Sequence, residues 1–552
     1  MRDETASSGA VALVDFLHAA GVRCIFSLSG NQIMPVYDAL LERDIRLVHV
    51  RHEASAVYMA EAWAQLTGEI GVALVTAGAG LGNALGALVS ARTSETPVLL
   101  LSGDSPRAQD GMGAFQELDQ CAMSAPVVKQ SLRASAPGAI ASEAAALVRL
   151  AQSGRPGPVH LALPADVLTD QAQNQTAQDV APQVQTLAEG DLAAVLDFLK
   201  GAQRPLVLTG PALSQTRTRG ALKQLQDAIS APVICMESPR GLRDPSLGAF
   251  GDVTGQADRI VLLGKQPDFT TGFMGKGMGT AGTRFAVIDP EDAVLECARA
   301  RLGDRLQIAL RADALPALRA LADAATDMPA RADWLKAAHA AMAARADVAA
   351  DDFAAPDGLH PAAVGAALGT VLEDAPKAVV ICDGGEFGQW MQAVPHSGPR
   401  VINGVSGAIG AAPAYAIAAS MACPDVPVIA LMGDGTAGFL LAEYETASRE
   451  GARFTAIIGN DSCWNAEHQI QIREFGADRT HSCTLSPVAR YDTVAAALGG
   501  QGALVGHEEA DRLADILQQA VSGTGVFCAN IRIRPVPAPV VAGCNAPAQA
   551  VH

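Results

Sequence analysis

Two aspartates, Asp434 and Asp461, stand 27 positions apart, each following an apolar run that closes in small residues. The runs are Ile429-Ala430-Leu431-Met432-Gly433 and Ile457-Ile458-Gly459-Asn460. Between them Leu440, Leu441, Tyr444 and Ala447 repeat at helical spacing, so Phe439 to Gly451 is expected to form one helix. Strand, loop, helix, strand, loop is a βαβ unit, and ligands of such sheets sit at the carboxyl ends of the strands. Both carboxylates would then reach one crevice. Two carboxylates among small residues suit a hard cation with oxygen ligands. Gly433, Gly435 and Gly438 would let the backbone approach a phosphate whose charge that cation shares. The plainer alternative is a pair of strand-end turns with solvated aspartates.

The elements that must position these residues alternate throughout the chain. In the first third, expected strands at 23–28, 46–50, 71–75 and 97–101 alternate with helices at 9–20, 34–42 and 54–67. The strand at 46–50 delivers His52-Glu53 to a helix start. The strand at 71–75 runs into the small-residue loop Thr76-Ala77-Gly78-Ala79-Gly80-Leu81-Gly82-Asn83. Residues 171–189, rich in Gln, Ala and Pro, read as a linker. The middle third repeats the pattern, with strands expected at 205–208, 232–235, 259–263 and 284–288. Asp289 there resembles a ribose-binding acid, but no GxGxxG follows a strand. The segment 327–356 is a second linker holding a helix at 332–344. In the last third a strand at 378–382 ends in Asp383-Gly384-Gly385-Glu386, and the turn Ser406-Gly407-Ala408-Ile409-Gly410 precedes a small-residue helix at 411–421. The fold class is therefore α/β, with three doubly wound domains built on mostly parallel sheets. Their boundaries are 1–180, 190–330 and 355–535, followed by a Pro- and Ala-rich tail, 536–552, that is either disordered or a lid.

Composition narrows the function classes. The 552 residues are 49% hydrophobic and 18% charged, with a net charge of −18. That is a core-rich globular chain without the basic face a nucleic acid requires. No apolar run approaches a membrane span, and residues 1–10 lack a signal pattern, so a cytoplasmic protein is expected. Ten cysteines without a CxxC pair suit a reducing compartment.

The first and last thirds look like two copies of one architecture. Four stretches carry a resemblance covering essentially the whole chain: Arg51-His52-Glu53-Ala54, the loop from Thr76 to Asn83, Gly154-Arg155-Pro156-Gly157-Pro158-Val159 with Pro164-Ala165-Asp166-Val167, and Gly433-Asp434-Gly435 with Asn460-Asp461. In this order they resemble thiamine-diphosphate (ThDP) enzymes of the acetolactate synthase, benzaldehyde lyase and 2-hydroxyacyl-CoA lyase group. The resemblance implies a pyrimidine-binding first domain, a middle Rossmann-like domain and a diphosphate-binding last domain. It implies Mg²⁺ held by Asp434, Asp461 and the Cys463 carbonyl. Asp461 departs from the more usual asparagine, which keeps the oxygen ligand and adds a charge. Gly384, Gly385, Gly433, Gly435 and Thr436 would contact the diphosphate, Ile409 would wedge beneath the cofactor, and the Gly407 carbonyl would accept from its amino group. Thr76, Gly78, Asn83 and Trp464 complete the expected cofactor contacts.

Alone, Glu53 reads as an acid favoured by a helix dipole. The resemblance makes it the carboxyl that shares a proton with the aminopyrimidine, with carbon–carbon bonds made or broken through an enamine. Gln32 and Gln116 are the other expected catalytic residues, though an amide can orient a substrate and not titrate. Glu386, Trp464 and Glu467 are further candidates on the substrate side. Phe115-Gln116-Glu117, with Lys129 beyond it, resembles the acetolactate synthase version of that loop. The expected reaction is acetolactate synthase-like carboligation or decarboxylation of a 2-oxo acid. The alternatives are a 2-hydroxyacyl-CoA or acyloin lyase, and a non-catalytic cofactor-binding regulator. Glu237-Ser238-Pro239-Arg240-Gly241 with Arg243 reads either as an adenine-nucleotide contact or as a salt-bridged loop. FAD or an adenine nucleotide in the middle domain has no sequence support. The partners implied are small carbonyl substrates and further copies of the chain, as a dimer or tetramer with shared sites, and neither nucleic acid nor membrane.

Overall fold

The computed structural model describes residues 7–172, 179–275, 277–349 and 352–541. Three parallel sheets organise them. The first contains β1 (Cys24–Ser27), β2 (Arg46–His49), β3 (Gly71–Val75), β4 (Val98–Asp104), β5 (Ser131–Arg133) and β6 (Val159–Pro164), in the order β2-β1-β3-β4-β6-β5. The second contains β7 (Pro205–Thr209), β8 (Val233–Cys235), β9 (Arg259–Leu263), β10 (Arg284–Asp289) and β11 (Leu306–Arg311), in the order β8-β7-β9-β10-β11. The third contains β12 (Val379–Cys382), β13 (Arg400–Ile402), β14 (Val428–Gly433), β15 (Phe454–Asn460), β16 (Gln501–Val505) and β17 (Val526–Arg532), in the order β13-β12-β14-β15-β17-β16. The first and third sheets share one topology, as their sequence patterns imply. Their central strands are unbroken apolar runs because both faces are covered: all five residues of β3 and all seven of β15 are buried.

Four strands escape the apolar-run criterion: β5, β11, β13 and β16. Each is an edge strand. Edges are partly wetted, so Ser131, Arg133, Gln307, Arg311, Arg400 and Gln501 are tolerated there, and they hide the strand from a hydrophobicity reading.

Helices α1 (Glu53–Thr67), α2 (Ala79–Thr93), α3 (Gly385–Gln392), α4 (Glu443–Glu450) and α5 (Asn465–Phe475) flank the functional loops. One expectation needs correction. Residues 439–451 do not form one helix. Asp434–Ala437 makes a short helical turn, the chain turns again through 438–442, and α4 starts only at Glu443. The Phe439 ring meets Trp464 edge-on at 6.2 Å instead of continuing a helix face. A Cβ on Gly410 (φ +90°) would stand 2.5 Å from Phe439, so glycine is required there for the ring to settle.

The chain forms two compact units: residues 1–183 with 413–423 and 442–452, and residues 184–412 with 424–441 and 453–552. The first has a buried polar network within its apolar core. Fully buried Glu61 of α1 accepts from Tyr415 Oη at 2.8 Å and Ser94 Oγ at 2.6 Å. His160 of β6 is ringed by Ser102, Ser124 and Ser131 at 2.8–2.9 Å. Burial pushes its pKa down to about 3, so the ring is neutral in the folded protein.

Candidate active site

In the first unit, Glu53 opens α1. Its side chain sits in the first turn, where the helix dipole favours an acid, and His52 caps the end by accepting from Ala54 N at 3.1 Å. Glu53 is 8% exposed, and Asn83 Nδ2 of α2 donates to its carboxylate at 3.0 Å. Thr76 Oγ1 donates to Gln32 Oε1 at 2.7 Å, and Gln32 Nε2 donates to Gln116 Oε1 at 2.9 Å. Gln116 holds φ +59°, an unusual state for a side-chain-bearing residue and one often found where function outweighs strain. Two glycines leave room beside these groups. A Cβ on Gly80 would stand 2.8 Å from Thr76 Cγ2 and 3.6 Å from Glu53 Oε1, and one on Gly78 would meet Gln116 Cβ at 3.0 Å. The structure therefore gathers Gln32, Glu53, Thr76, Gly78, Asn83 and Gln116 into one crevice. Lys129 is engaged elsewhere, donating to the carbonyls of Leu150, Ser153 and Arg155.

In the second unit, β14 and β15 run in register to Gly433 opposite Gly459, so Asp434 and Asp461 emerge from adjacent strand ends. Their carboxyl groups are within hydrogen-bonding reach of each other. Burial holds both above the usual carboxylate range, and the Asp434 charge pushes Asp461 higher still. Among the described residues no basic side chain pairs with either one. Such a pair calls for a proton or a cation between its members. Among the described residues no group of three or more His, Cys, Asp or Glu side chains is placed to hold a metal. The Cys463 thiol is pushed up to about 12 by burial and by the Asp461 charge.

A cavity of about 470 Å³ opens beside this pair, lined by Gly384, Gly385, Gly407, Ile409, Gly433, Gly435, Thr436, Cys463 and Trp464 among others. Asp383, buried behind it, accepts from the backbone N–H groups of Gly384, Gly410 and Ala412 at 2.7–3.1 Å and so ties the two glycine loops together. A Cβ on Gly384 would lie 2.6 Å from Ile409 Cγ2, and one on Gly435 would lie 2.8 Å from the Trp464 ring. Trp464 thus packs across Gly435 as well as facing the cavity. Thr436 Oγ1 donates to Gly433 O at 3.0 Å, which engages its proton within the loop.

Some cavity residues carry little sequence signal. Phe269 and Phe273 enter from a middle-domain turn with no apolar period. Asn403 sits behind Gly384, and Asn530 braces Asn460 at 2.9 Å from a strand three elements later. Asp383 does carry a signal, a strand end followed by Gly-Gly. Asp289 is fully buried and accepts from Glu291 N at 3.0 Å, a turn contact within its own loop. In the tail, the Val536 and Pro537 carbonyls accept from Asn465 and Trp390 at 2.9 Å, and residues 542–552 of the expected lid lie outside the described residues.

Comparison with known proteins bears on both halves. Residues 7–123 match the thiamine pyrophosphate enzyme N-terminal TPP binding domain, and residues 383–531 match the C-terminal TPP binding domain of the same family. A probable acetolactate synthase of Mycobacterium bovis is 31% identical over 506 residues, 89% of each chain. The 2-hydroxyacyl-CoA lyase 2 of Danio rerio is 27% identical over 563 residues, 93% of this chain and 89% of that one. Its Homo sapiens counterpart is 28% identical over 551 residues, covering 91% and 86%.

Proposed function

The chain belongs to the thiamine pyrophosphate enzyme family and is a ThDP-dependent carboligase or lyase working at a carbon–carbon bond next to a carbonyl; from that premise we propose an acetolactate synthase-like reaction on a 2-oxo acid. The observation that carries the assignment of the site is the pair of neighbouring carboxylates, Asp434 buried and Asp461 half-buried, at the ends of β14 and β15. In this reading Asp434, Asp461 and the Cys463 carbonyl hold Mg²⁺, which suits oxygen ligands and lifts the electrostatic cost of the buried pair. Backbone groups of Gly384, Gly385, Gly433 and Gly435, with Thr436, receive the diphosphate, and its anionic oxygens complete the charge balance. Ile409 would support the cofactor, the Gly407 carbonyl would accept from its amino group, and Trp464, packed over Gly435, would close the side of the cavity. Bound ThDP supplies the carbanion equivalent at the substrate carbonyl carbon and the sink for its electrons.

The chain supplies position and protons. Glu53, steadied by Asn83, holds a proton at its carboxyl for a ring nitrogen of the cofactor. Thr76 orders Gln32, and Gln32 orders Gln116, so two amides present fixed donors and acceptors to a substrate carbonyl without titrating. Self-association as a dimer or tetramer brings the Glu53 crevice of one copy to the Asp434 cavity of another. A reducing, cytosolic setting fits a chain whose ten cysteines include no CxxC pair, and no helix among the described residues is long and apolar enough to cross a membrane.

Similarity to the 2-hydroxyacyl-CoA lyases leaves 2-hydroxyacyl-CoA cleavage as the second reading. Supplying the holoenzyme with pyruvate, and separately with a 2-hydroxyacyl-CoA, separates the two. The proposal expects ThDP-dependent consumption of pyruvate, with release of CO₂ and formation of an acyloin or acetohydroxy acid. Cleavage of the 2-hydroxyacyl-CoA between C1 and C2 to an aldehyde and formyl-CoA, without pyruvate turnover, would replace it with the lyase reading.

A further inference from the structure

Resting on the 2-oxo acid reading above, we infer that Arg240 is the residue that recognises the carboxylate of the substrate. Arg240 lines the cavity that also exposes Asp434 and Trp464, on the side furnished by Phe269 and Phe273. Among the described residues its guanidinium has no carboxylate within 4.0 Å and no hydrogen-bond acceptor; from beyond that distance its charge acts on Glu386. Glu386 is already engaged, accepting from Gln389 Nε2 at 2.6 Å, and burial holds its carboxyl above the usual range. The neighbouring Glu237 does have a cation, Arg400, at 2.5 and 3.0 Å. The salt-bridged-loop reading of Glu237–Arg243 therefore describes Glu237 and leaves Arg240 without a counter-ion.

The loop holds Arg240 rigidly. Buried Ser238 accepts from Arg240 N at 3.2 Å, Gly241 N donates to Ser238 O at 3.1 Å, and Arg243 N donates to Arg240 O at 3.0 Å. Gly241 (φ +54°) passes so close to the Phe269 turn that a Cβ would stand 2.1 Å from Thr270 O. A guanidinium fixed at its backbone and free at its fork is preorganised for a bidentate carboxylate. Chemistry also favours a carboxylate over the phosphates of coenzyme A. A substrate carboxylate brings one negative charge towards the cavity that also holds Glu386 and Glu467, whereas the several charges of coenzyme A phosphates would meet both acids at greater cost.

The test is equilibrium binding to the ThDP- and Mg²⁺-loaded protein, using unreactive probes: oxamate, which carries the carboxylate; neutral oxamide; and adenosine 3′,5′-bisphosphate for the coenzyme A phosphates. Arg240→Ala should weaken oxamate about 10- to 100-fold and leave oxamide within about 2-fold, with Arg240→Lys in between. Unchanged oxamate affinity overturns the inference, as does an equal loss for oxamide. Loss of the bisphosphate alone overturns it in favour of a phosphate anchor. Because nothing turns over in this assay, its failure is separable from failure of the proposed reaction: wild-type protein that consumes pyruvate but binds oxamate independently of Arg240 retains the reaction and loses the anchor.

Discussion

At the scale of single residues, the site is a problem of uncompensated charge. Buried Asp434 and half-buried Asp461 lie against each other with no basic partner among the described residues, an arrangement that folding alone does not favour. A divalent ion resolves it, and so Asp434→Ala should bind ThDP as weakly with Mg²⁺ as without it. Calorimetric titration in both conditions reads this directly: the wild type should gain at least about 10-fold from Mg²⁺ and the variant almost nothing. A variant that keeps the full Mg²⁺ dependence would remove Asp434 from the metal site. The residues themselves stand in strings that drew notice, Glu53, Asp434 and Asp461 among them, and the structure brings Glu53, Asn83, Thr76, Gln32 and Gln116 into mutual contact. Arg240 was visible only as one of several charges in a loop, because which member of Glu237–Arg243 keeps a partner depends on Arg400, 160 positions away.

At the scale of elements, central strands were legible as apolar runs, and so were the edge strands β2 and β8; the other four edge strands were not, since an edge is partly wetted and carries Arg, Ser and Gln freely. The break at 438–442 was hidden for a related reason: Leu440, Tyr444 and Ala447 are all buried as a helix face would require, but two segments supply them. The glycine loops were legible as glycine-rich, and the structure adds what each must avoid. Gly384→Ala puts a methyl 2.6 Å from Ile409, so it should cost about 1–3 kcal/mol of stability and displace the residue that supports the cofactor. Denaturant midpoints together with ThDP affinity check both effects. His160 in β6 gives a pH prediction. Its folded pKa lies below the ordinary histidine value, so as pH falls through about 6.5 the unfolded chain takes up a proton that the folded chain refuses. Stability must then decline between about pH 6.5 and about 3, and His160→Gln should be less stable at pH 7 but show a flatter decline on acidification to pH 5. Parallel slopes in the two proteins would contradict this account.

At the scale of the whole molecule, the first and third sheets share one strand order, yet one carries the Glu53 crevice and the other the paired aspartates. One fold used twice thus supports two different half-sites. If a site draws its halves from two copies of the chain, mixing Glu53→Gln with Asp434→Ala subunits restores one intact site per hybrid dimer. Reassorted mixtures should recover about a quarter of wild-type activity, and sites confined to one chain should recover none.

The central claim is that Glu53 acts on the bound cofactor's protons and not on its retention. Measuring ThDP affinity and pyruvate turnover side by side for Glu53→Gln tests it most directly. The account predicts affinity within a few-fold of wild type and turnover reduced by about 100-fold or more. A variant that binds ThDP normally and turns over at the wild-type rate would contradict it.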